Sequence, residues 1–313
     1  MSDTYTVGIV GAGRMGSTFD APGSPRVLTH AHAFSRNPRT RLIGIADLDV
    51  AKADHEARKW DTNAYGDFAR LLTAKPDIVV IATPDTEHTR MIKEAASVAK
   101  LIICEKPAAV NNAEAEALKE YEGAPVVVNY RRRFDETMIA LAREIAAGTY
   151  GTVISASAIY SKGLLHSGSH MIDLARMLFG EITSAKALAT INDWEGDDTI
   201  AGFAAFERCP QFYLETGDER AYSIFEIDVR LEKRRIRLTD EGIRMSVQEI
   251  VPDPVYDGFV VLGAEAVTET KLLSAMENLA QHSVDFLDGK TPLRSSLAEA
   301  LKTYEACMRF RFE

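Results

Sequence analysis

Cysteine is scarce in this chain. Its 313 residues include three cysteines, Cys104, Cys209 and Cys307, which are unevenly spaced and form no Cys-x-x-Cys pair. Disulfide frameworks and structural zinc sites both need more cysteines at closer spacing. The sequence therefore predicts neither a disulfide framework nor a metal site, and it fits a reducing compartment.

Long apolar runs are missing as well. No stretch of the chain approaches the ~20 consecutive apolar residues that a membrane-spanning helix needs. The first strand-like run begins about five residues from the N-terminus, which leaves no room for a signal peptide. We therefore expect a soluble, cytoplasmic protein with no membrane partner.

Basic residues are in the minority. The chain has 46 acidic and 36 basic residues, which gives a net charge of −10. This balance argues against nucleic acid as a partner. A short basic cluster, Arg131–Arg133, follows a predicted strand and suits a small anionic ligand, or solvent, better than a polynucleotide.

A glycine motif near the N-terminus is the strongest positive signal. Val7–Val10 is a short apolar run typical of a buried strand, and Gly11, Gly13 and Gly16 follow it at G-x-G-x-x-G spacing. The first glycine permits a tight turn, the second lets a pyrophosphate approach the backbone, and the third lets the next helix pack closely. Together they predict dinucleotide binding, with the intervening Arg14 and Met15 as candidate cofactor contacts.

The segment after the motif departs from the usual pattern. Two prolines and a glycine lie within residues 17–26 and interrupt the expected helix, either as a solvated insertion or as a functional lid. Asp47 then ends the second predicted strand, where a carboxylate can bind the adenosine ribose and repel a 2′-phosphate. Asp49 is the competing candidate. We therefore predict NAD, with NADP the less favoured cofactor.

Strand-like and helical segments alternate over the first part of the chain. The predicted strands lie near 7–10, 42–46, 77–82, 101–104 and 125–128. This alternation predicts an α/β fold with an N-terminal, doubly wound parallel sheet of the Rossmann type, assigned to residues 1–124. Ligands bind beyond the carboxyl ends of such strands, where Gly11, Asp47, Thr83 and Lys106 all lie.

The pattern changes near residue 125. Predicted helices at 135–147 and 169–179 are accompanied by about seven strands, beginning at 152–160 and ending with a hairpin at 234–251. These features predict a C-terminal α+β domain, residues 125–313, built on a largely antiparallel open sheet. Two closing helices are predicted at roughly 265–287 and 296–309, and the second is a candidate to pack back on the first domain.

Lys106 is the first candidate for chemistry. A lysine at a strand end above a nucleotide site can stabilise developing alkoxide charge, and burial can lower its pKa enough for proton transfer. Glu105 beside it can position or neutralise the ammonium group. A surface ion pair is the alternative reading of the same two residues.

A second constellation lies at the start of the helix near residue 170. His170 and Asp173 are three residues apart and therefore neighbours on one helical face, and His166 precedes the helix. A histidine held by a carboxylate can act as a general acid–base. Metal binding by the two histidines is disfavoured because no third ligand is apparent.

Taken together, these motifs resemble the Gfo/Idh/MocA oxidoreductase family over nearly the whole chain. The resemblance rests on the glycine motif, Ala82-Thr83-Pro84 with His88, Glu105-Lys106-Pro107, Asn129 with Arg133-Phe134, and Gly168-x-His170-x-x-Asp173. It implies that Lys106 and His170 are catalytic and that hydride transfer occurs at a sugar or cyclitol carbon. It also implies cofactor contacts by Thr83, Pro84, His88 and Glu105, and substrate contacts by Lys106, Arg133, Tyr160, Lys162, His166, His170 and Asp173.

Two departures from the family pattern shift the substrate expectation. Many members carry an acidic residue where this chain has His166, and the 17–26 insertion and the 161–166 run are more similar to members associated with surface polysaccharides. The resemblance therefore implies a sugar or nucleotide-sugar substrate and a homodimer or homotetramer. An NAD-retaining glycosidase and a non-catalytic nucleotide or sugar sensor are the alternatives, but a sensor needs neither Lys106 nor His170.

Overall fold

The computed structural model describes residues 4–311, which contain fourteen strands and nine α-helices. The strands are β1 (Tyr5–Val10), β2 (Thr40–Ala46), β3 (Ala64–Tyr65), β4 (Ile78–Ile81), β5 (Leu101–Cys104), β6 (Val126–Val128), β7 (Val153–Tyr160), β8 (Ile182–Trp194), β9 (Asp197–Phe206), β10 (Cys209–Thr216), β11 (Phe225–Leu231), β12 (Arg234–Thr239), β13 (Arg244–Pro252) and β14 (Val260–Glu269). The helices are α1 (His30–Arg36), α2 (Val50–Lys59), α3 (Phe68–Thr73), α4 (His88–Ala95), α5 (Asn112–Leu118), α6 (Glu136–Ala146), α7 (Ser169–Phe179), α8 (Ala275–Leu287) and α9 (Leu297–Met308).

The chain divides into two units. The first contains the residues up to Phe134 together with Leu273–Lys302, and the second contains Asp135–Leu272 and the residues from Thr303 onward. This division lies beyond the expected boundary at residue 124, because β6 completes the first sheet. It also returns α8 and the first half of α9 to the first unit.

The first unit is built on a fully parallel sheet with strand order β3-β2-β1-β4-β5-β6. Every residue of β4, β5 and β6 is buried, as expected for strands with helices on both faces of the sheet. The order reverses between β1 and β4, and in such sheets this switch point is where ligands bind. The predicted Rossmann fold is confirmed.

The second unit is built on a sheet with strand order β14-β13-β12-β11-β7-β10-β9-β8. Its pairs are antiparallel except for β10 with β7, which confirms the predicted, largely antiparallel sheet. Helix α7 packs on this sheet through Phe179, whose ring centroid lies 6.2 Å from that of Phe206 and 6.4 Å from that of Phe212.

Several sequence predictions of local structure were wrong. The helix expected from about 265 begins at Ala275, because the preceding residues pair with β13 as strand β14. Strand β3 and helix α3 were not predicted. Helix α4 has no side-chain cap, because Asp85–Glu87 forms a 3₁₀ turn ahead of the helix and Glu87 is the N-cap residue.

Other local features agree with the sequence. Asn111 caps α5 by accepting a hydrogen bond from the backbone N–H of Glu114 (2.9 Å). Strands β12 and β13 form the predicted hairpin around Asp240–Gly242. In the described part of the chain, every helix is too short or too polar to cross a bilayer.

Candidate active site

The glycine turn after β1 has the geometry that its sequence predicts. Gly11 has a φ of 96°, and a Cβ there would collide with the carbonyl oxygen of Ala82. A Cβ on Gly16 would collide in turn with the carbonyl oxygen of Gly11. A Cβ on Gly13 would meet nothing within 4 Å. The first and third glycines are therefore required by close packing, and the second faces open space.

The helix after this turn is interrupted, as the sequence predicts. A single π-helical turn, Arg14–Thr18, is followed by a loop that reaches α1. Buried Asp20 organises this loop: its carboxylate accepts hydrogen bonds from the Leu28 N–H (2.6 Å) and the Thr29 hydroxyl (2.5 Å), and it lies 2.8 Å from Nδ1 of His32. These contacts tie the inserted segment to the start of α1, a role that the sequence did not indicate for Asp20.

Asp47 lies at the end of β2 and contacts the glycine turn. Its carboxylate accepts hydrogen bonds from the Ala12 N–H (2.9 Å) and the Asp49 N–H (3.0 Å), and Lys52 Nζ lies 3.3 Å away. Asp49 instead caps α2 by accepting from the Lys52 N–H (3.1 Å). The carboxylate next to the glycine turn is therefore that of Asp47, not that of its competitor.

These residues fit a dinucleotide. No atom lies within 4 Å of a Cβ built on Gly13, which leaves the backbone there open to approach by a ligand, and the first N–H groups of a helical turn lack partners within that turn. The Asp47 carboxylate stands where ribose hydroxyls are bound in this type of fold. Arg14 and Met15 lie in the same turn.

His88 links the loops that follow β4 and β5. Its side chain is fully buried, with Nδ1 2.8 Å from the carbonyl oxygen of Pro107 and Nε2 3.1 Å from that of Thr83. Both neighbours are backbone carbonyl oxygens. His88 therefore holds the Thr83–Pro84 and Lys106–Pro107 segments in position. The structure gives it this positioning role, whereas the resemblance implied a cofactor contact.

Glu105 is held in place by two side chains from distant segments. Its Oε1 lies 2.7 Å from Nε2 of His30 and accepts a hydrogen bond from the Asn129 amide (2.8 Å). Burial by itself raises the pKa of Glu105, but His30, Asn129 and the Lys106 charge outweigh burial and hold this pKa below its ordinary value. Glu105 is therefore an anion fixed directly beside Lys106.

Lys106 is half-buried at the end of β5. Its charge also acts on Asp85, whose pKa is raised above its ordinary value, mainly by burial and also by Glu105, against the opposing charges of His88 and Lys106. Lys106 thus lies in the field of two carboxylates. Such a lysine suits the stabilisation of a developing negative charge.

Arg133 belongs to the 3₁₀ turn Arg131–Phe134 at the end of the first unit's main segment. Its side chain is mostly buried, and Nη2 lies 3.7 Å from Glu299 Oε2. The backbone carbonyl of Arg133 faces Arg294 Nη1 at 3.5 Å. The guanidinium is therefore constrained within the first unit.

In the second unit, His166 and His170 lie on one continuous helical segment. A π-helical turn, Gly163–Gly168, leads directly into α7, and both imidazoles are half-buried. The carboxylate of Asp197 fixes this turn by accepting hydrogen bonds from the N–H groups of Leu165 and His166, each at 2.8 Å. Sequence analysis did not identify Asp197, because it comes from a distant hairpin.

Two residues expected to face substrate have structural roles in this unit. Tyr160 is fully buried, and its hydroxyl donates to the Ile200 carbonyl (3.0 Å) and accepts from the Ile200 N–H (2.9 Å). Burial raises the pKa of Tyr160. Asp173 is buried and accepts a hydrogen bond from the Thr303 hydroxyl (2.9 Å), which in turn accepts one from Arg176 (2.6 Å).

Lys162 precedes the His166 turn and has an unusual backbone, with φ 75° and ψ 60°. Its Nζ lies 5.2 Å from the centroid of the Trp194 ring and 3.9 Å from Glu219 Oε1. Neither partner was singled out from the sequence. Among the residues described, no group of three histidine, cysteine or acidic side chains is arranged to hold a metal ion.

Comparison with known proteins finds a family match for the N-terminal part of the chain. Residues 5–128 match the model of a family described as "Oxidoreductase family, NAD-binding Rossmann fold" (GFO_IDH_MocA). The inositol 2-dehydrogenase of Rhizobium meliloti (strain 1021) is 32% identical over 201 residues, which cover 57% of this chain and 56% of that protein. The inositol 2-dehydrogenase of Rubrobacter xylanophilus is 31% identical over 159 residues, which cover 49% and 43%. The chain spans about half the length of these curated relatives.

Among solved structures, a levoglucosan dehydrogenase in complex with NADH and levoglucosan is similar over nearly its full length. The TM-score is 0.76 at 18% identity, and the match covers 98% of this chain and 96% of that one. At this identity the likeness shows a shared fold and nothing finer.

Proposed function

We propose that this chain is a member of the Gfo/Idh/MocA oxidoreductase family and an NAD-dependent dehydrogenase acting on a CH–OH group of a sugar or cyclitol. The match of residues 5–128 to that family's NAD-binding Rossmann model and the inositol 2-dehydrogenase relatives support this. The observation that carries this proposal is the Glu105–Lys106 pair. The pair lies at a strand end of the Rossmann sheet, and its carboxylate is fixed by His30 and Asn129. A protein that only bound a nucleotide would not need such a charged pair.

The glycine turn and Asp47 are the proposed cofactor site, with Thr83, Pro84 and Glu105 as further contacts. Bound NAD would accept the hydride from the substrate carbon or return it. The choice of NAD over NADP rests on Asp47, because a carboxylate that binds ribose hydroxyls repels a 2′-phosphate. Lys52, 3.3 Å from Asp47, partly offsets that charge.

Lys106 and His170 are the proposed catalytic residues. The ammonium group of Lys106 stabilises negative charge on the reacting oxygen, and His170 exchanges the proton with that oxygen. Arg133, Lys162 and His166 are proposed to bind the substrate. The inositol 2-dehydrogenases among the curated relatives support a polyol substrate.

Self-association through the second unit's sheet is a further part of the proposal. One face of that sheet has a depression of about 680 Å³ lined by Leu188, Tyr213 and Arg230, among others. Leu188 is 59% exposed and Tyr213 is 44% exposed. Exposed apolar side chains grouped in this way favour an interface. Light scattering of the wild type and of Leu188→Glu measures the oligomeric state directly.

The test of function is NAD reduction with a panel of polyols. Wild type should form NADH with at least one sugar or cyclitol. Lys106→Met should lose about 10²–10³ in kcat, and His170→Gln about 10²–10⁴. The double variant should lose much less than the product of the two single losses, because both residues act on one oxygen.

NAD affinity, titrated in the same variants, is the control and should stay near wild type. Near-wild-type turnover in Lys106→Met would overturn the proposed mechanism. If wild type binds both NAD and a sugar but forms no NADH, the result would favour the alternative function, a non-catalytic nucleotide or sugar sensor.

A further inference from the structure

Lys162 is fixed in a conformation that lysine rarely adopts. Its φ of 75° lies in the left-handed region, which non-glycine residues avoid unless the surroundings hold them there. The surroundings here are two hydrogen bonds: the Lys162 carbonyl accepts from the Ser167 N–H (3.2 Å), and the next N–H, that of Gly163, donates to the Thr199 hydroxyl (2.9 Å). Strained backbone of this kind concentrates at binding sites.

This backbone places the Lys162 ammonium group between an aromatic ring and a carboxylate. Nζ lies 5.2 Å from the Trp194 ring centroid, which is a cation–π distance, and 3.9 Å from Glu219 Oε1. Glu219 is held in turn by the Ser161 hydroxyl, which donates to its Oε2 at 2.7 Å. The charge of Lys162 is therefore already balanced before any ligand is present.

Trp194 ends β8 and is half-buried. Its indole carries one N–H donor at the edge of the apolar ring. A half-exposed ring with an N–H donor, beside a lysine and a glutamate, offers one apolar face together with donors and an acceptor. A sugar ring presents the same combination of C–H faces and hydroxyl groups.

This cluster is continuous with the His166 turn. The carboxylate of Asp197, three residues after Trp194, accepts hydrogen bonds from the N–H groups of Leu165 and His166 at 2.8 Å each. Lys162 directly precedes that turn. A ligand bound at His166 thus has Lys162 on the same segment and Trp194 on the hairpin that supports it.

The local charge disfavours an anionic ligand. The hairpin turn 193–198 carries four carboxylates and neither lysine nor arginine. Beyond it, Glu219 already faces Lys162, Arg220 is paired with Asp218 at 2.5 Å, and Arg311 lies 3.9 Å from Asp197. A phosphate entering this region would meet a surplus of negative charge.

We propose that Trp194, Lys162 and Glu219 form a recognition surface that selects an uncharged, polyhydroxylated ring over a phosphate-bearing or nucleotide-linked sugar. This inference rests on the proposed function, which it narrows to free sugars and cyclitols. The ring packs against Trp194, and its hydroxyls bind Lys162, Glu219 and the indole N–H.

Tryptophan fluorescence tests the surface without requiring turnover. The chain contains two tryptophans, and Trp60 is buried in the first unit. The NAD-loaded protein is titrated with myo-inositol, levoglucosan, glucose 6-phosphate and UDP-N-acetylglucosamine. The emission of wild type should respond to at least one neutral probe, and this response should be absent in Trp194→Phe.

Affinity for the neutral probe, measured by calorimetry, should fall about 10-fold or more in Trp194→Phe and in Lys162→Met. The matched control Lys186→Met removes an exposed lysine of β8 and should bind like wild type. Glu219→Gln should narrow the preference for the neutral probe over the phosphorylated one, because it removes the repelling charge.

Tighter binding of a phosphorylated or nucleotide-linked probe by wild type would overturn the inference. The inference would also be overturned if Trp194→Phe bound the neutral probe with wild-type affinity. It would be overturned as well if the fluorescence of Trp194 responded to neither neutral probe. If the polyol is oxidised while Trp194→Phe keeps the wild-type KM, the inference fails and the proposed function stands. If Trp194 reports sugar binding but no NADH forms, the surface stands and the proposed function fails.

Discussion

The imidazole of His30 lies with Nε2 2.7 Å from Oε1 of Glu105, 75 residues further along the chain. His30 is fully buried at the start of α1, and its Nδ1 has no hydrogen-bond partner among the described residues. Because Nε2 faces a carboxylate, it carries the proton and donates. The interaction keeps Glu105 ionised next to Lys106, and it ties the helix after the inserted loop to the candidate catalytic strand end.

His30→Ala should therefore raise the pKa of Glu105, since the buried carboxylate loses a donor and keeps its desolvation. The acid limb of the kcat/KM profile should move to higher pH, and the free energy of unfolding should fall by about 1–3 kcal/mol. Exposed His55→Ala is the matched control. An unmoved acid limb together with the loss of stability would show that His30 serves packing alone.

The variant Asp47→Asn tests the choice between NAD and NADP more sharply than a replacement of Asp47 by alanine. The amide oxygen of asparagine can still accept from the Ala12 N–H, so the glycine turn keeps its support while the charge disappears. Affinity for NAD should fall and affinity for NADP should rise, which narrows the ratio of the two dissociation constants. Asp49→Asn, which alters the cap of α2, should leave that ratio unchanged. A wild type that binds NADP more tightly than NAD would refute the assignment.

Gly163→Ala should disturb the turn that carries His166. Gly163 has a φ of 73°, and a Cβ there would collide with the Asp197 carboxylate that binds the His166 N–H. Gly258 has a φ of 79° but open space around it, so Gly258→Ala reports the backbone strain alone. We expect Gly163→Ala to lose more thermal stability than Gly258→Ala and, unlike it, to raise KM. Equal losses in the two variants would contradict the proposed support of His166.

His282 should make stability depend on pH. Burial, aided by the Arg294 charge, lowers the pKa of His282 from 6.5 to about 4, and its Nε2 accepts a hydrogen bond from the Arg294 N–H (3.0 Å). As pH falls from 6.5 towards 4, the unfolded chain takes up a proton that the folded protein resists. Stability should then fall by about 1.4 kcal/mol per pH unit.

Urea unfolding at pH 7 and pH 5 measures this loss. His282→Gln keeps an acceptor for Arg294 and cannot titrate, so its stability should change less between the two pH values than that of wild type. His55→Gln, at an exposed histidine, should follow wild type. A His282→Gln protein with the wild-type slope would assign the acid loss to other groups.

Local signals in the sequence determined much of the fold. Short apolar runs bounded by polar turns gave β4 and β5, and α7 was predicted with its observed bounds, because its apolar stripe ends at Gly180. The glycine spacing at 11–16 identified the turn after β1, where close packing at Gly11 and Gly16 leaves no room for a Cβ. Residues 5–128, which carry the first of these motifs, also match the Gfo/Idh/MocA family model.

The tertiary structure decided which polar residues face a site and which serve the core. Tyr160 and Asp173 look like ligand contacts in sequence, but their partners, Ile200 and Thr303, come from elements 40 and 130 residues away. Likewise, β14 is a strand because its residues pair with β13 in an antiparallel ladder, and no local sequence pattern outweighs that pairing. Burial and hydrogen-bond partners depend on distant segments, so the sequence fixes the candidates for chemistry while packing selects among them.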